Sequence, residues 1–353
     1  MGVEEFLAEW HDESPYVRVK TSGSTGDPKP MLVEKRRMLN SARITCDFLG
    51  LYNGDTALLC MSLDYIAGKM MVVRALERGL KLISVEPSGH PLALTQRGQS
   101  LMCSTGFAHK GQSPCVNYQL DFAAMVPMQV YNSLQVPEER ERLMQIRHLI
   151  IGGGAIDEAM EQELRGFPNA VWSTYGMTET LSHIALRRLN GPDASEWYTP
   201  FDSVHLSLSD EGCLIIDAPE VCPEPLVTND IAEFSTLNSQ LSTLNPQRFR
   251  ILGRKDNVIC SGGIKIQAEE VERLLRPHLR EPYMISKRPD EKFGEIVVLL
   301  TEGNPDEARE VCQRVLPKYY QPRLYIHVNQ IPMTETGKLK RRDYSPEPSH
   351  PIS

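Results

Sequence analysis

Thr21-Ser22-Gly23-Ser24-Thr25-Gly26-Asp27-Pro28-Lys29-Pro30 packs hydroxyls, two glycines and a lysine into one short window near the start of the chain. Glycine lets a backbone turn tightly and bring its N–H groups close to a ligand. Ser and Thr add neutral donors, and Lys29 adds a mobile positive charge. Together they have the chemistry to hold a polyphosphate. A Ser/Gly surface loop has a similar composition, so context decides. The alternating Tyr16-Val17-Arg18-Val19 ahead of the window reads as a strand. An amphipathic helix is predicted after it, with Leu39, Ala42, Cys46 and Leu49 on one face and Gly50 as its stop. Strand, loop and helix is the order that suits a phosphate loop. A Walker loop is excluded: counting from Gly23, Pro28 stands at the second Gly position and Pro30 follows Lys29. No His-Arg-Asp or Asp-Phe-Gly occurs, which removes protein kinases.

Further along stand other groups with chemical potential. Gly152-Gly153-Gly154-Ala155 follows an apolar run, but Asp157 takes the third glycine position of a dinucleotide fingerprint, so that site is rejected. Tyr175-Gly176-Met177-Thr178-Glu179-Thr180 places a flat ring, a hydroxyl and a hard oxygen ligand together. Alone it also reads as a polar strand-to-helix cap. Pro332-Met333-Thr334-Glu335-Thr336-Gly337-Lys338-Leu339-Lys340-Arg341 is a basic turn, or a solvated tail.

Order and identity of these segments resemble the adenylate-forming (AMP-binding, acyl-CoA synthetase) superfamily. Thr21 to Lys29 matches its Thr-Ser-Gly-Ser-Thr-Gly-x-Pro-Lys-Gly signature and departs at Pro30. Tyr175 to Glu179 is similar to its Tyr-Gly-x-Thr-Glu, and Thr228-Asn229-Asp230 to its Thr-Gly-Asp, with Asn229 for Gly. Gly253-Arg254-Lys255-Asp256-Asn257 through Ser261-Gly262-Gly263 resembles its inter-domain segment, with Asn257 and Ala268 departing from the usual Asp and Pro. Lys338 falls in its Thr-x-x-Gly-Lys signature.

The resemblance implies roles. Thr21, Ser22, Gly23, Ser24, Thr25, Gly26 and Lys29 would cradle pyrophosphate, and Gly152, Gly153 and Gly154 would border the adenine pocket. Tyr175 and Gly176 would face adenine, Thr178 the α-phosphate, and Glu179 would ligate Mg²⁺ on ATP. Asp230 would accept the ribose hydroxyls, Arg254 would hold ribose or phosphate oxygens, and Asp256 would be the hinge. Lys338 would serve adenylation, with coenzyme A as co-substrate after the swing. Within the superfamily the nearest resemblance is to o-succinylbenzoate–CoA ligases of menaquinone synthesis. Ser62-Leu63-Asp64-Tyr65-Ile66-Ala67-Gly68 lies where those carry Pro-Leu-Phe-His-x-x-Gly, with Tyr65 at the His. Tyr65, Lys69, Arg74, Ser182 and His183 are candidate contacts for a dianionic aromatic acid, each also readable as surface charge or helix packing. Two rivals stand beside this reading. One is an adenylation domain that loads a carrier-protein thiol. The other is a homologue that binds ATP without catalysis, which the presence of Glu179, Asp230 and Lys338 opposes.

Composition sets bounds. The 353 residues suffice for two domains with a sizeable core, and a net charge of −8 without a basic block argues against nucleic acid. No apolar run approaches the roughly 20 residues of a membrane helix. Eight cysteines form no C-x-x-C pair and read as core thiols in a reducing, cytoplasmic setting.

The elements that must position these residues alternate. Thr56–Met61, Leu80–Val85, Arg147–Ile151 and Ala170–Ser173 read as strands. Met70–Arg78, Phe122–Ser133 (despite Pro127) and Asp157–Arg165 read as helices. The expected class is α/β: a large N-terminal domain with a mainly parallel sheet plus a β-rich portion near Phe201–Phe234, then a small α+β lid. The expected domains are 1–252 and 253–353, hinged near 256. Ligand loops should lie at the carboxyl ends of the strands. Only twenty residues precede the first loop, so an N-terminally shortened ligase or a fragment is implied by the resemblance. A homodimer is one way to bury a sheet edge so exposed.

Overall fold

The computed structural model describes residues 1–20, 30–93, 97–102, 107–112, 119–235, 248–333, 339 and 341. In chain order the first elements are α1 (Val3–Trp10), β1 (Tyr16–Lys20), β2 (Pro30–Glu34), α2 (Lys35–Leu49), β3 (Thr56–Leu59), α3 (Ile66–Arg78) and β4 (Lys81–Val85). There follow β5 (Arg97–Met102), β6 (Phe107–Gln112), β7 (Phe122–Met125), α4 (Pro127–Leu134), α5 (Pro137–Gln145), β8 (His148–Ile151), α6 (Glu158–Leu164), β9 (Ala170–Gly176), β10 (His183–Arg188) and β11 (Thr199–Pro200). The rest comprises β12 (His205–Leu208), β13 (Cys213–Asp217), β14 (Leu226–Phe234), β15 (Phe249–Arg254), β16 (Val258–Ser261), β17 (Ile264–Gln267), α7 (Ala268–Leu275), β18 (Tyr283–Asp290), β19 (Gly294–Thr301), α8 (Pro305–Val315) and β20 (Leu324–His327).

A nine-stranded sheet of order β11-β10-β9-β8-β7-β3-β4-β5-β6 organises the first part. Its centre, β4-β3-β7-β8-β9, is parallel. Both flanks are antiparallel. Ala57-Leu58-Leu59, Phe122-Ala123-Ala124-Met125 and Leu149-Ile150-Ile151 are buried throughout, as continuous apolar runs are when both faces of a parallel sheet are covered. Leu58, Met125, Ile151, Val171 and the helix residues Val130, Leu143 and Leu164 share one core.

Three local expectations change. Phe122–Ser133 is not one helix: β7 ends at Met125, Val126 caps, and Pro127 opens α4 at its first turn. Proline is accommodated there because that N–H needs no helical partner. The segment before α2 holds β2, paired antiparallel with β1 from Tyr16↔Glu34 to Lys20↔Pro30. The Thr21 window therefore joins two paired strands and not a strand and a helix. Likewise β9 runs on to Gly176 and pairs with β10, so a strand follows the Tyr175 hexamer. In α2, Met38 is buried with Ala42, Cys46 and Leu49, whereas Leu39 is half-buried; Gly50 ends the helix at φ 62°. Among the described cysteines Cys260 is exposed, opposite buried Ile259 on β16, and the rest are core thiols.

The chain divides into two compact units. Met1–Leu206, Ile216–Leu226 and Phe234–Arg250 form the first. Ser207–Ile215, Val227–Glu233 and Ile251–Ser353 form the second. In the second unit β17-β16-β19-β18 form a sheet, with β20 parallel to β19. Helices α7 and α8 cover it through Val271, Leu275, Ala308 and Cys312 against Ile285, Val297 and Leu299. No described helix is long and apolar enough to cross a membrane.

Candidate active site

Parallel pairing of β8 with β9, Ile151 opposite Ser173, brings two predicted segments to the same carboxyl end of the first unit's sheet. Gly152 donates its N–H to Met125 O at 3.1 Å. A Cβ on Gly152 would meet Thr174 Oγ1 at 2.2 Å, so any side chain there would force Thr174 of β9 to shift. Gly153 is left-handed at φ 81°, and Gly154 lies beside the Pro127 ring. Tyr175 packs edge-on to Phe249 at 5.3 Å and tilted against Tyr198 at 6.0 Å. The Tyr198 hydroxyl is 2.8 Å from Ser173 Oγ. Sequence reading missed Tyr198 and Phe249, because lone aromatics carry no spacing signal.

The turn from β9 to β10 is over-determined. Thr180, fully buried, accepts from Met177 N at 3.1 Å and places its hydroxyl 2.8 Å from Ser182 O. Leu181 is buried with φ 66°, a left-handed conformation that a bulky residue holds only when its surroundings enforce it. Thr178 is buried and Glu179 exposed. No cluster of three or more metal-ligating side chains occurs among the described residues. A single exposed carboxylate suits Mg²⁺, which takes one or two protein carboxylates and completes its shell with phosphate and water.

Of the five acid-contact candidates, three meet. Arg74 Nη2 donates to Ser182 Oγ at 2.6 Å, and Ser182 Oγ is 3.2 Å from His183 Nδ1. Arg74 is 2% exposed, its Nε has no hydrogen-bond partner, and burial pulls the guanidinium down to about 10. Burial, then the Arg74 charge, holds His183 well below the usual imidazole range, so the ring is neutral. Lys69 goes elsewhere: its ammonium donates to Arg18 O at 2.6 Å, lies 3.4 Å from Glu9 and sits over the Phe6 ring. It ties α1 to β1 and α3. Tyr65 caps α3 at the carboxyl end of β3 and bridges Lys20.

In the second unit, Arg254 lies 3.1 Å from Asp230 and 2.8 Å from Asp256. Asn229 Nδ2 is 3.3 Å from Asp256 Oδ2. Burial works against the Arg254 charge, but the hydrogen bond to Asp256 and the surrounding carboxylates outweigh it and raise its pKa. The predicted ribose, anion and hinge residues thus form one cluster. Beyond them, Met333 pairs with Leu339, which packs near Met284, Leu300 and Ile331. Arg341 donates to Ile285 O at 3.2 Å and pairs with Glu272. Thr21, Ser22, Gly23, Ser24, Thr25, Gly26, Lys29 and Lys338 lie outside the described residues.

A family model described as AMP-binding enzyme matches residues 5–223. The chain is similar to the 2-succinylbenzoate–CoA ligase of Lactococcus lactis subsp. lactis, 22% identical over 349 residues, covering 95% of this chain and 72% of that protein. Its fold is similar to that of an acyl-CoA synthetase (AMP-forming)/AMP-acid ligase II-like protein from Dyadobacter fermentans, with TM-score 0.61 and 30% identity, covering 95% of this chain and 90% of that one. A second similar fold is the o-succinylbenzoate coenzyme A synthetase from Bacillus subtilis in complex with ATP and magnesium ion, with TM-score 0.67, 19% identity and coverage of 91% and 68%.

Proposed function

Because the chain belongs to the AMP-binding enzyme family, we propose that it is an ATP-dependent acid–CoA ligase whose substrate is o-succinylbenzoate. Its class is that of the AMP-forming acyl-CoA synthetases. A carboxylate is a poor acyl donor, because its leaving group would be oxide. Attack of its oxygen on the α-phosphorus of ATP expels pyrophosphate and leaves an acyl-AMP anhydride. The thiol of coenzyme A then attacks the acyl carbon, and AMP departs.

The residues divide this work. Tyr175, in its aromatic cluster beside the Gly152–Gly154 turn, offers a face for adenine. Asp230, held by Arg254, would accept from the ribose hydroxyls. Thr178 would donate to the α-phosphate, and Lys338 would stabilise charge there and on the acid during adenylation. Mg²⁺, held by Glu179 and phosphate oxygens, would neutralise charge on the triphosphate. Asp256 is the proposed hinge, and 1–252 and 253–353 the proposed moving parts.

One observation carries the substrate reading. Arg74 is a buried cation that no carboxylate pairs with among the described residues. Isolation of a charge from water is costly unless a counter-ion compensates it. An acid with two carboxylates can be activated at one and supply the missing partner with the other. A mass-spectrometric screen of acids with ATP, Mg²⁺ and coenzyme A tests this. The expected product is the o-succinylbenzoyl thioester with AMP and pyrophosphate. Turnover of acetate or long-chain acids, with none for o-succinylbenzoate, would overturn the assignment.

A further inference from the structure

A chain of four buried or half-buried side chains runs from α3 through the β9–β10 turn into α2. Arg74 Nη2 lies 2.6 Å from Ser182 Oγ. Ser182 Oγ lies 3.2 Å from His183 Nδ1. His183 Nε2 lies 3.1 Å from Thr45 Oγ1, and Thr45 Oγ1 lies 3.0 Å from Ser41 O. Thr45 is fully buried and Ser41 nearly so.

The donors in this chain can be assigned from its two ends. A carbonyl only accepts, so the one hydroxyl proton of Thr45 goes to Ser41 O. Thr45 Oγ1 must then accept from His183, which puts the proton on Nε2. A neutral imidazole with Nε2–H has an acceptor at Nδ1. Ser182 therefore donates to Nδ1 and offers its lone pairs to Arg74, which only donates. Every link points the same way. Among the described residues Arg74 has little else to aim it: Nη1 meets the Met71 sulfur at 3.8 Å, the guanidinium lies 6.0 Å from the Phe122 ring centroid, and Nε has no hydrogen-bond partner.

The backbone is arranged to serve the chain. A Cβ at Gly176 would stand 2.3 Å from Ser182 O and 2.5 Å from His183 Cα. The register of β9 and β10 shifts between His183 and Ala185, and such a bulge re-aims a side chain. The Phe201 ring, 5.7 Å away, flanks the imidazole.

We propose that Thr45 and His183 are positioning residues: by fixing the imidazole tautomer they engage the Ser182 proton at Nδ1, keep its lone pairs for Arg74 and so hold the guanidinium in one orientation for an anionic group of the acid. This rests on the reading of Arg74 given under Proposed function. If Thr45 cannot accept, Nε2–H loses its partner and the proton moves to Nδ1. Nδ1–H then donates to Ser182, the Ser182 proton loses its acceptor, and Oγ must serve two donors at once, which weakens its bond to Arg74.

The test uses the full chain and two readouts. Isotope-labelled histidine, with the His183 signal assigned by its absence in His183→Gln, reports the tautomer by nitrogen NMR. The Nε2–H form is expected in the wild type, with a shift toward Nδ1–H in Thr45→Val and recovery in Thr45→Ser. Kinetics of pyrophosphate exchange give the second readout. KM for o-succinylbenzoate should rise about tenfold in Thr45→Val, as expected for a weakened bond to a charged group. KM for ATP should stay as in the wild type, and Thr45→Ser should restore the acid KM. A wild-type Nδ1–H tautomer overturns the proposal. So does a Thr45→Val variant whose tautomer shifts while its acid KM does not, or whose acid and ATP KM values rise together with a lower Tm. Arg74→Lys separates the two layers. If it leaves the acid KM unchanged, the reading of Arg74 fails and the proposal with it. If it raises that KM while Thr45→Val does not, the relay alone fails.

Discussion

Arg254 holds Asp230 at 3.1 Å within the second unit and reaches Asp256 with its other terminal nitrogen. One guanidinium thus sets the carboxylate proposed for ribose and the residue proposed as hinge. Two separated acceptors demand a fork, which a lysine ammonium does not provide. Arg254→Gln is expected to raise KM for ATP in pyrophosphate exchange by roughly tenfold, and Arg254→Lys should recover little of it. An unchanged KM for ATP in Arg254→Gln would remove Arg254 from the nucleotide site.

The pair Arg341–Glu272 joins the chain beyond Leu339 to α7. Glu272 is buried, and burial raises its pKa, opposed by Arg341. Arg341→Ala would leave that carboxylate without its cation, a change that costs about 3–5 kcal/mol for buried pairs. Urea unfolding should register this loss. Arg341→Met combined with Glu272→Leu should recover most of it, since removing both charges leaves no orphan. If the double variant is no more stable than the single one, the pair is not what stabilises this part of the unit.

Two histidines give stability a pH dependence. His148 is lowered to about 4 by burial and then by the neighbouring Arg147 and Arg188 charges, and His183 is lowered by burial and Arg74. An unfolded histidine titrates near 6.5. Falling pH therefore protonates these groups in the unfolded chain first. The unfolded state binds more protons, so stability falls as pH drops below about 6.5 and levels off for each site below its folded value. Urea midpoints between about pH 7.5 and 5.5 should decline, with a smaller slope in His148→Gln and smaller still when His183→Gln is added. Identical slopes in all three would refute the assignment.

Gly176 should tolerate no side chain. Its Cβ would strike backbone atoms of Ser182 and His183, which cannot rotate away. Gly176→Ala is expected to cost about 1–3 kcal/mol as overpacking and to raise the acid KM through the displaced turn. Thermal unfolding with kinetics checks both; a neutral variant would mean that the turn is looser than its geometry implies.

Much of this was legible in the residues. Apolar runs such as Leu149-Ile150-Ile151 announced a parallel core, and the small α+β unit expected at the C-terminal end is present as β16–β20 with α7 and α8. Gly152–Gly154 and Tyr175 could be placed together once parallel strands were assumed, because both end neighbouring strands. What stayed hidden was long-range pairing. Nothing in spacing shows that Lys69 meets Glu9 instead of Arg74, or that Thr45 meets His183 across 138 positions. Short strands were the other failure. Phe122-Ala123-Ala124-Met125 is as helix-like as strand-like, and Pro127 opens a helix instead of lying inside the one expected over Phe122–Ser133. Likewise β2 was hidden because a strand of five residues beginning at Pro30 merges with the helix that follows.

Activation of an acid as its adenylate is the step on which the proposed function rests. Its most direct measurement is exchange of labelled pyrophosphate into ATP, with Mg²⁺ and o-succinylbenzoate and without coenzyme A. Exchange that depends on the acid, is lost in Lys338→Ala, and gives way to thioester and AMP when coenzyme A is added is the predicted result. Cleavage of ATP to ADP and phosphate, or exchange that survives Lys338→Ala while thioester formation alone collapses, would contradict it.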